Sequence, residues 1–246
     1  RAWQTRREFL LPAVDEEYFE WIDVLSSAAD NSKNEEFVVI EVGAGYAPWS
    51  VRAFAANQLM RKRPIRITIV EAHPKVLDDA KAHLALNGIA HRNVTVVHAA
   101  VGQETGTTTF LTGACSLSSG FRAPDLLNQE SQPHTSEISE GSVLVNVTTI
   151  AALLYDHHHV DYLDVDIQGA ESYALTTTEA RLQMKLKVKR IHIGTHHLTI
   201  HQQLRQMLQV DGWVLQEDYP PSSSIKTRFG FVSFRDGVLS ARMEGA

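Results

Sequence analysis

Residues 37–45 read Phe37-Val38-Val39-Ile40-Glu41-Val42-Gly43-Ala44-Gly45. A short, largely β-branched apolar run that ends in glycines is the pattern of a strand buried on both faces of a parallel sheet. The glycines let the chain turn sharply there and approach a ligand closely. Residues 48–60 have helical character, and Ile65 to Glu71 forms a second strand pattern. Pro74 suits the first turn of the next helix, which stops at Asn87-Gly88. Val94 to His98 is a third strand. The three strands begin about 28 residues apart with a helix between each pair, which is the βαβ rhythm of a doubly wound sheet. The expected class is therefore α/β with a Rossmann-like, mostly parallel sheet.

The rhythm breaks at 102–142, a stretch rich in Gly, Ser and Thr with no helical period. Connections this long are often lids or binding loops, and a lid is expected at 113–142. Extended structure resumes at Val143–Val147, followed by a short helix at 148–155. Asp161 to Asp166 and Lys187 to Ile193 are two more core strands, with a helix at 198–209. Trp213–Gln216 and Phe229–Phe234 look like a terminal pair that adds an antiparallel strand. Before the sheet, Phe19, Ile22 and Leu25, with Tyr18 and Trp21 beside them, form a helical apolar stripe. Residues 1–36 are read as a helical cap and 37–246 as the main domain.

Composition narrows the function. In 246 residues the hydrophobic share is 43% and the net charge −6, so a core is affordable and a phosphate backbone is not the expected partner. The single cysteine, Cys115, excludes an intrachain disulfide framework and fits a reducing, cytoplasmic setting. No apolar run approaches the roughly 20 residues that span a bilayer. The chain opens at Arg1, so a leading segment could precede it.

Glu71 ends the second strand, 26 residues after Gly45, where a carboxylate can accept both hydroxyls of an adenosine ribose. A glycine turn followed by such an acid also suits NAD. Two details oppose a dinucleotide. The third glycine of a G-x-G-x-x-G motif would fall at Pro48, which has no N–H for a phosphate. Glu41 would also repel a diphosphate while attracting an ammonium group. The electrostatics favour a zwitterionic sulfonium, S-adenosylmethionine. Glu41, Gly43 and Gly45 would then cradle its methionine part, Glu71 and Ala72 its ribose, and His98, Ala99 and Ala100 its adenine.

Val160 to Glu171 carries the chemistry. Strand alternation puts Asp164 and Asp166 on one side, at the strand end that faces the ligand crevice in such sheets. Glu171 falls in the first turn of the following helix, where it can favour the positive helix end. His192, Gly194 and His196 alternate along the next strand, with His197 at its end. Asp166 or His196 is the expected base for a substrate hydroxyl, with Glu171 in support. No metal is needed for this. In a minority arrangement Asp164 and Asp166, with a crevice histidine, would hold Mg²⁺ or Mn²⁺. His157, His158 and His159 precede the strand and are read as surface residues.

The stretch Val165-Asp166-Ile167-Gln168-Gly169-Ala170-Glu171 resembles the strand-end pattern of the FkbM-type methyltransferases. The resemblance continues in Asn93 to Gly102, in Val147 to Leu154 and in Glu71-Ala72-His73-Pro74, covering roughly 37–235. It implies a class I methyltransferase fold that uses S-adenosylmethionine, and O-methylation of a hydroxyl on a sugar, polyketide or similar small molecule. The family often has Lys where this chain has Asp164, and Glu where it has Gln168, so a charge in the crevice is reversed. The alternatives are an NAD-dependent oxidoreductase and a non-catalytic cofactor-binding module.

Overall fold

The protein is described by a computed structural model covering residues 13–30, 36–111 and 142–244. The sequence-expected lid at 113–142 lies outside these residues except for Ser142, as do residues 1–12 and 31–35 of the expected cap.

The first strand, β1 (Phe37–Val42), is buried at all six positions. Helix α1 (Glu16–Ala29) precedes it. After it come α2 (Pro48–Met60), β2 (Ile65–Glu71), α3 (Pro74–Leu86), β3 (Val94–Gly102), β4 (Gly106–Leu111), β5 (Ser142–Thr149) and α4 (Ile150–Tyr155). The rest of the order is β6 (Tyr162–Val165), α5 (Glu171–Leu175), α6 (Thr178–Lys187), β7 (Arg190–Thr195), α7 (Leu198–Val210), β8 (Val214–Tyr219), β9 (Ser223–Thr227), β10 (Gly230–Phe234) and β11 (Gly237–Arg242). Nine strands form one sheet in the order β4-β5-β3-β2-β1-β6-β7-β11-β8. Strands β3, β2, β1, β6 and β7 run parallel, β11 runs antiparallel between β7 and β8, and β4 is antiparallel to β5.

Period-two alternation sorts β1 between two cores. Val38, Ile40 and Val42 join Ile150, Leu175, Met184 and Leu204 under α4 to α7. Phe37 and Val39 join Val24, Trp49, Ala53 and Leu77 under α1 to α3. Glu41 is in phase with Phe37 and Val39, so it faces the α1–α3 layer. On β6, Leu163 and Val165 belong to the first core and Tyr162 to the second, which turns Asp164 toward the same side as Glu41.

Three expectations are corrected. The antiparallel partner of β8 is Gly237–Arg242, not Phe229–Phe234, which instead pairs with β9 in a separate hairpin. The reason is burial: Gly237 to Ala241 are all buried, whereas three of the five residues of β10 are exposed. The stretch after β3 contains β4, a threonine-rich strand that a search for apolar runs passes over. The buried face of α1 is Phe19, Glu20, Asp23, Val24, Ser27 and Ala28, while Leu25 is exposed. Asp23 enters because it meets partners on the sheet: Arg190 Nη1 at 3.2 Å, His192 Nδ1 at 2.8 Å and Ser240 Oγ at 2.6 Å. Among the described residues no helix is long and apolar enough to cross a membrane.

Candidate active site

The C-terminal ends of β1, β2, β3, β6 and β7 open into a cavity of about 870 Å³. A ligand site of 300–1,000 Å³ accommodates a drug-sized molecule, so this one has room for a nucleoside and a modest second molecule. Glu41, Gly43, Gly45, Glu71, Ala72, Ala99, Ala100, Asp164, Asp166, His192, His196 and His197 all line it. His98 does not line it. That side chain is exposed, with Nε2 3.0 Å from the Ala72 carbonyl oxygen, to which it can donate.

The glycine turn is built by close approach. Gly43 has φ +78°, and a Cβ added there would lie 1.8 Å from the Asp166 carbonyl oxygen. Gly43 and Ala44 both donate their amides to the Val70 carbonyl, tying the turn to β2. At Gly45 (φ +54°) a Cβ would meet nothing within 4 Å. The Gly45 amide donates to Glu71 Oε2 at 2.9 Å, and the His73 amide to Glu71 Oε1 at 2.7 Å. Each carboxylate oxygen can accept more than one hydrogen bond, so Glu71 both braces the turn and keeps acceptor capacity for a diol.

Glu41 is held differently from the sequence-based picture of a free carboxylate beside the loop. Its two oxygens accept the Trp49 and Ser50 amides, at 3.1 and 2.8 Å, closing the start of α2. These are the amides that a diphosphate would use at a helix N-terminus. Burial pushes the Glu41 carboxyl up to about 7, against contacts with Ser50 and the Trp49 amide that favour its ionised form. Across the sheet Glu41, Asp164 and His192 lie side by side in register on β1, β6 and β7. Asp164 is buried and accepts the Tyr162 hydroxyl at 3.2 Å. Burial, then the charges of Glu41 and Asp166, raise its pKa well above the usual carboxylate range.

Asp166 lies beyond the end of β6, its amide donating to the Val42 carbonyl at 2.9 Å. Gly194 on β7 leaves it space, since a Cβ there would lie 3.2 Å from Asp166 Cγ. The Asp166 side chain is 41% exposed and faces the cavity. His196 Nε2 lies 3.4 Å from Asp166 Oδ1, and His196 Nδ1 lies 2.8 Å from Glu171 Oε1. The same Glu171 oxygen accepts the Gly169 amide at 2.8 Å, so the residue at the start of α5 also clamps the turn after β6. Glu171 is fully buried. For His196, burial favours the neutral ring, but the Glu171 hydrogen bond and the charges of Asp166 and Asp236 outweigh it and raise its pKa to about 9. Partial shielding from water in the cavity wall raises Asp166, opposed by the charge of His196 and helped by those of Glu171 and Asp236.

Sequence reasoning missed three contributors. Asp236, just before β11, has Oδ1 4.0 Å from His196 Nε2. Glu20 of α1 reaches the cavity wall 3.8 Å from His192 Nε2; its signal was an acid on the buried stripe of an amphipathic helix. Arg52 of α2 stacks its guanidinium over Trp49 and Trp21, at 4.0 and 4.8 Å from the ring centroids, and borders the cavity. Of the other histidines, His158 is exposed, while His159 is partly buried against the Glu36 carbonyl and Asp161.

Comparison with known proteins identifies the family and the fold. The methyltransferase FkbM domain matches residues 31–220. A protein of Jannaschia sp. (strain CCS1) named "Putative methyltransferase" is 27% identical over 207 residues, which make up 82% of this chain and 70% of that one. The crystal structure of methyltransferase FkbM from Methylobacillus flagellatus KT superposes with a TM-score of 0.53 at 14% identity, over 84% of this chain and 44% of the other. A precorrin-6y C5,15-methyltransferase from Geobacter metallireducens GS-15 gives a TM-score of 0.45 at 17% identity, over 91% of this chain and 87% of that one. The sheet order and the family match together make the fold that of a class I methyltransferase, and this chain belongs to the FkbM methyltransferase domain family.

Proposed function

We propose that this chain is an S-adenosylmethionine-dependent methyltransferase that O-methylates a hydroxyl of a small molecule, such as a sugar or a polyketide. The observation that carries the reading is that one cavity joins two chemically different ends. Glu71 and the Gly43–Gly45 turn supply a nucleoside end, and Asp166 with His196 supplies a proton-accepting end. When bound, S-adenosylmethionine supplies a methyl group already activated on a sulfonium. The chain's own residues orient the acceptor and manage its proton, the positioning contribution being large in such transfers. Asp166 takes the hydroxyl proton. His196, positively charged at neutral pH, stands behind Asp166, and Glu171 fixes the ring through Nδ1. Arg52 is the candidate partner for the carboxylate of the methionine part, and Glu41 and Glu20 face its ammonium group.

Nine carboxyl side chains and two arginines line the cavity; burial favours the neutral forms of Glu20, Glu41 and Asp164, and the remaining acids still outnumber the arginines. Such a wall repels phosphodiesters, which supports a small acceptor over nucleic acid. It also opposes NAD, whose diphosphate would meet Glu41 on the α2 amides. The N-terminal helix and residues 113–142 are the proposed acceptor-selecting segments, and the single cysteine supports a cytoplasmic setting. The test is calorimetry with S-adenosylhomocysteine and NAD, followed by transfer of labelled methyl from S-adenosylmethionine to a panel of hydroxylated small molecules. Binding of S-adenosylhomocysteine alone and labelled ethers are expected. NAD binding would favour an oxidoreductase. Cofactor binding without labelling of any acceptor would favour a non-catalytic module.

A further inference from the structure

We infer that Asp166 and His196 hold one first-row divalent cation, with Asp236 at its edge and Glu171 orienting the histidine from the other side of the ring. One donor atom from each of Asp166, Glu171 and His196 lies within 4.8 Å of the others. Two atoms in this cluster are buried without any hydrogen-bond partner. They are His196 Nε2, which points toward Asp166 Oδ1, and Oε2 of Glu171, whose side chain has no exposure at all. A buried polar atom with no partner is costly, and native structures leave few of them. A cation on Nε2 would satisfy the first; Glu171 lies on the Nδ1 side of the ring and acts on the site through that nitrogen.

The geometry around the ring suits a ligand. Glu171 Oε1 holds Nδ1 at 2.8 Å, so an incoming cation would displace the Nε2 proton and coordinate there, the arrangement in which a carboxylate orients a metal-binding histidine. Around a cation with bonds of about 2.1 Å, neighbouring donors sit about 3 Å apart. The 3.4 Å between Nε2 and Asp166 Oδ1 is close to that, and Asp236 Oδ1 at 4.0 Å needs only a small shift to join. Asp164 is not in the group. It lies deeper, with Oδ1 committed to the Tyr162 hydroxyl, so the pair Asp164 and Asp166 considered from the sequence is not the donor set. One imidazole with two carboxylates suits Mn²⁺, Fe²⁺ or Zn²⁺ better than Ca²⁺, which prefers oxygen alone. The partly exposed Asp166 leaves the cation open to the cavity, where it would take an acceptor carrying adjacent oxygen atoms. That use of the cation rests on the methyltransferase reading above; the site itself does not.

The experiment titrates chelator-stripped protein with Mn²⁺ and follows the free-ion signal by electron paramagnetic resonance. One Mn²⁺ per chain is expected. His196→Ala and Asp166→Asn should each weaken binding at least about tenfold, the lower end of what loss of an orienting outer partner costs. Asp78→Asn, at an exposed surface carboxylate, should leave it unchanged. Wild-type binding no tighter than that of His196→Ala overturns the inference. If that variant does not fold, the wild type still decides: absence of both signal loss and a rise in melting temperature with Mn²⁺ overturns it. S-adenosylhomocysteine is titrated into the same stripped protein. Cofactor binding without Mn²⁺ binding removes the cation alone. Failure to bind the cofactor, with or without Mn²⁺, removes the methyltransferase reading instead.

Discussion

Gly43 and Asp166 are in backbone contact: a Cβ on Gly43 would sit 1.8 Å from the Asp166 carbonyl oxygen. The turn that closes β1 is therefore packed directly on the chain that carries the proposed base, so the proposed cofactor and acceptor ends share one wall. Gly43→Ala must separate the two strand ends and also strain a backbone at φ +78°. We expect a loss of at least about 3 kcal/mol in unfolding free energy by denaturant titration. Gly45→Ala, in open space, should lose far less stability. Equal effects at the two glycines would show that the contact is not what fixes Gly43.

Glu71 braces the glycine turn and is the proposed ribose acceptor, and the two parts separate experimentally. Its oxygens hold the Gly45 and His73 amides in the free protein. Glu71→Ala should lower affinity for S-adenosylhomocysteine by roughly 1–3 kcal/mol, the scale of hydrogen bonds to a charged group. Calorimetry measures this, and a melting curve of the free variant measures the part due to a loosened turn. Normal cofactor affinity in Glu71→Ala would remove the ribose assignment.

The parallel core of this fold is legible because burial on both faces leaves an unmistakable mark: Phe37–Val42, Ile65–Glu71 and Tyr162–Val165 are short, apolar and spaced for βαβ units. The antiparallel β11 is legible only in part. Gly237-Val238-Leu239-Ser240-Ala241 carries one long aliphatic pair, and its burial comes from β7 and β8 on either side. The site divides the same way. Glu71 and Asp166 stand at strand ends, so topology alone sends them to the crevice. The Glu171–His196 bond joins residues 25 apart on elements whose relative rotation no periodicity specifies. Asp236 and Glu20 arrive from a loop and from a cap helix. A local pattern has no term for such meetings.

Glu41 makes folding stability depend on pH in a stated direction. Its folded pKa of about 7 lies above the ordinary 4.5, so the folded state holds its proton more tightly than the unfolded chain. The associated stability is fully present below about pH 4.5 and is lost as pH rises through about 7. A shift of this size is worth on the order of 3 kcal/mol at full ionisation. Asp164, beside Glu41 on β6, is raised as well, and Arg52 opposes the trend. The difference between wild type and Glu41→Gln isolates Glu41. Between pH 5 and 8 the wild type should lose stability relative to the variant, and parallel curves would contradict the shift.

Asp23 anchors the N-terminal helix to the sheet through Arg190, His192 and Ser240, all four residues being buried. Asp23→Ala would leave the Arg190 charge without this partner, and breaking a buried pair in this way typically costs about 3–5 kcal/mol. Denaturant unfolding should show a loss of that order. It should also show α1 as part of the same cooperative transition. A loss below about 1 kcal/mol would mean that α1 detaches without cost.

Asp166 is where binding and chemistry should come apart. Its carboxylate is 41% exposed toward the cavity, whereas the proposed nucleoside end is formed by Glu71 and the glycine turn on other strands. Asp166→Asn keeps the shape and removes the proton acceptor. We expect cofactor affinity within a few-fold of wild type and a fall in kcat of about 100- to 10,000-fold, the usual contribution of a positioned base. His196→Ala should follow in the same direction, because it removes the positive partner 3.4 Å from Asp166 Oδ1. Single-turnover methyl transfer with saturating S-adenosylmethionine separates the chemical step from product release. If Asp166→Asn transferred methyl at the wild-type rate while His196→Ala did not, the proton would pass to His196 instead. If both variants kept the wild-type rate, neither residue would be the base, and the acceptor would lose its proton to solvent after transfer.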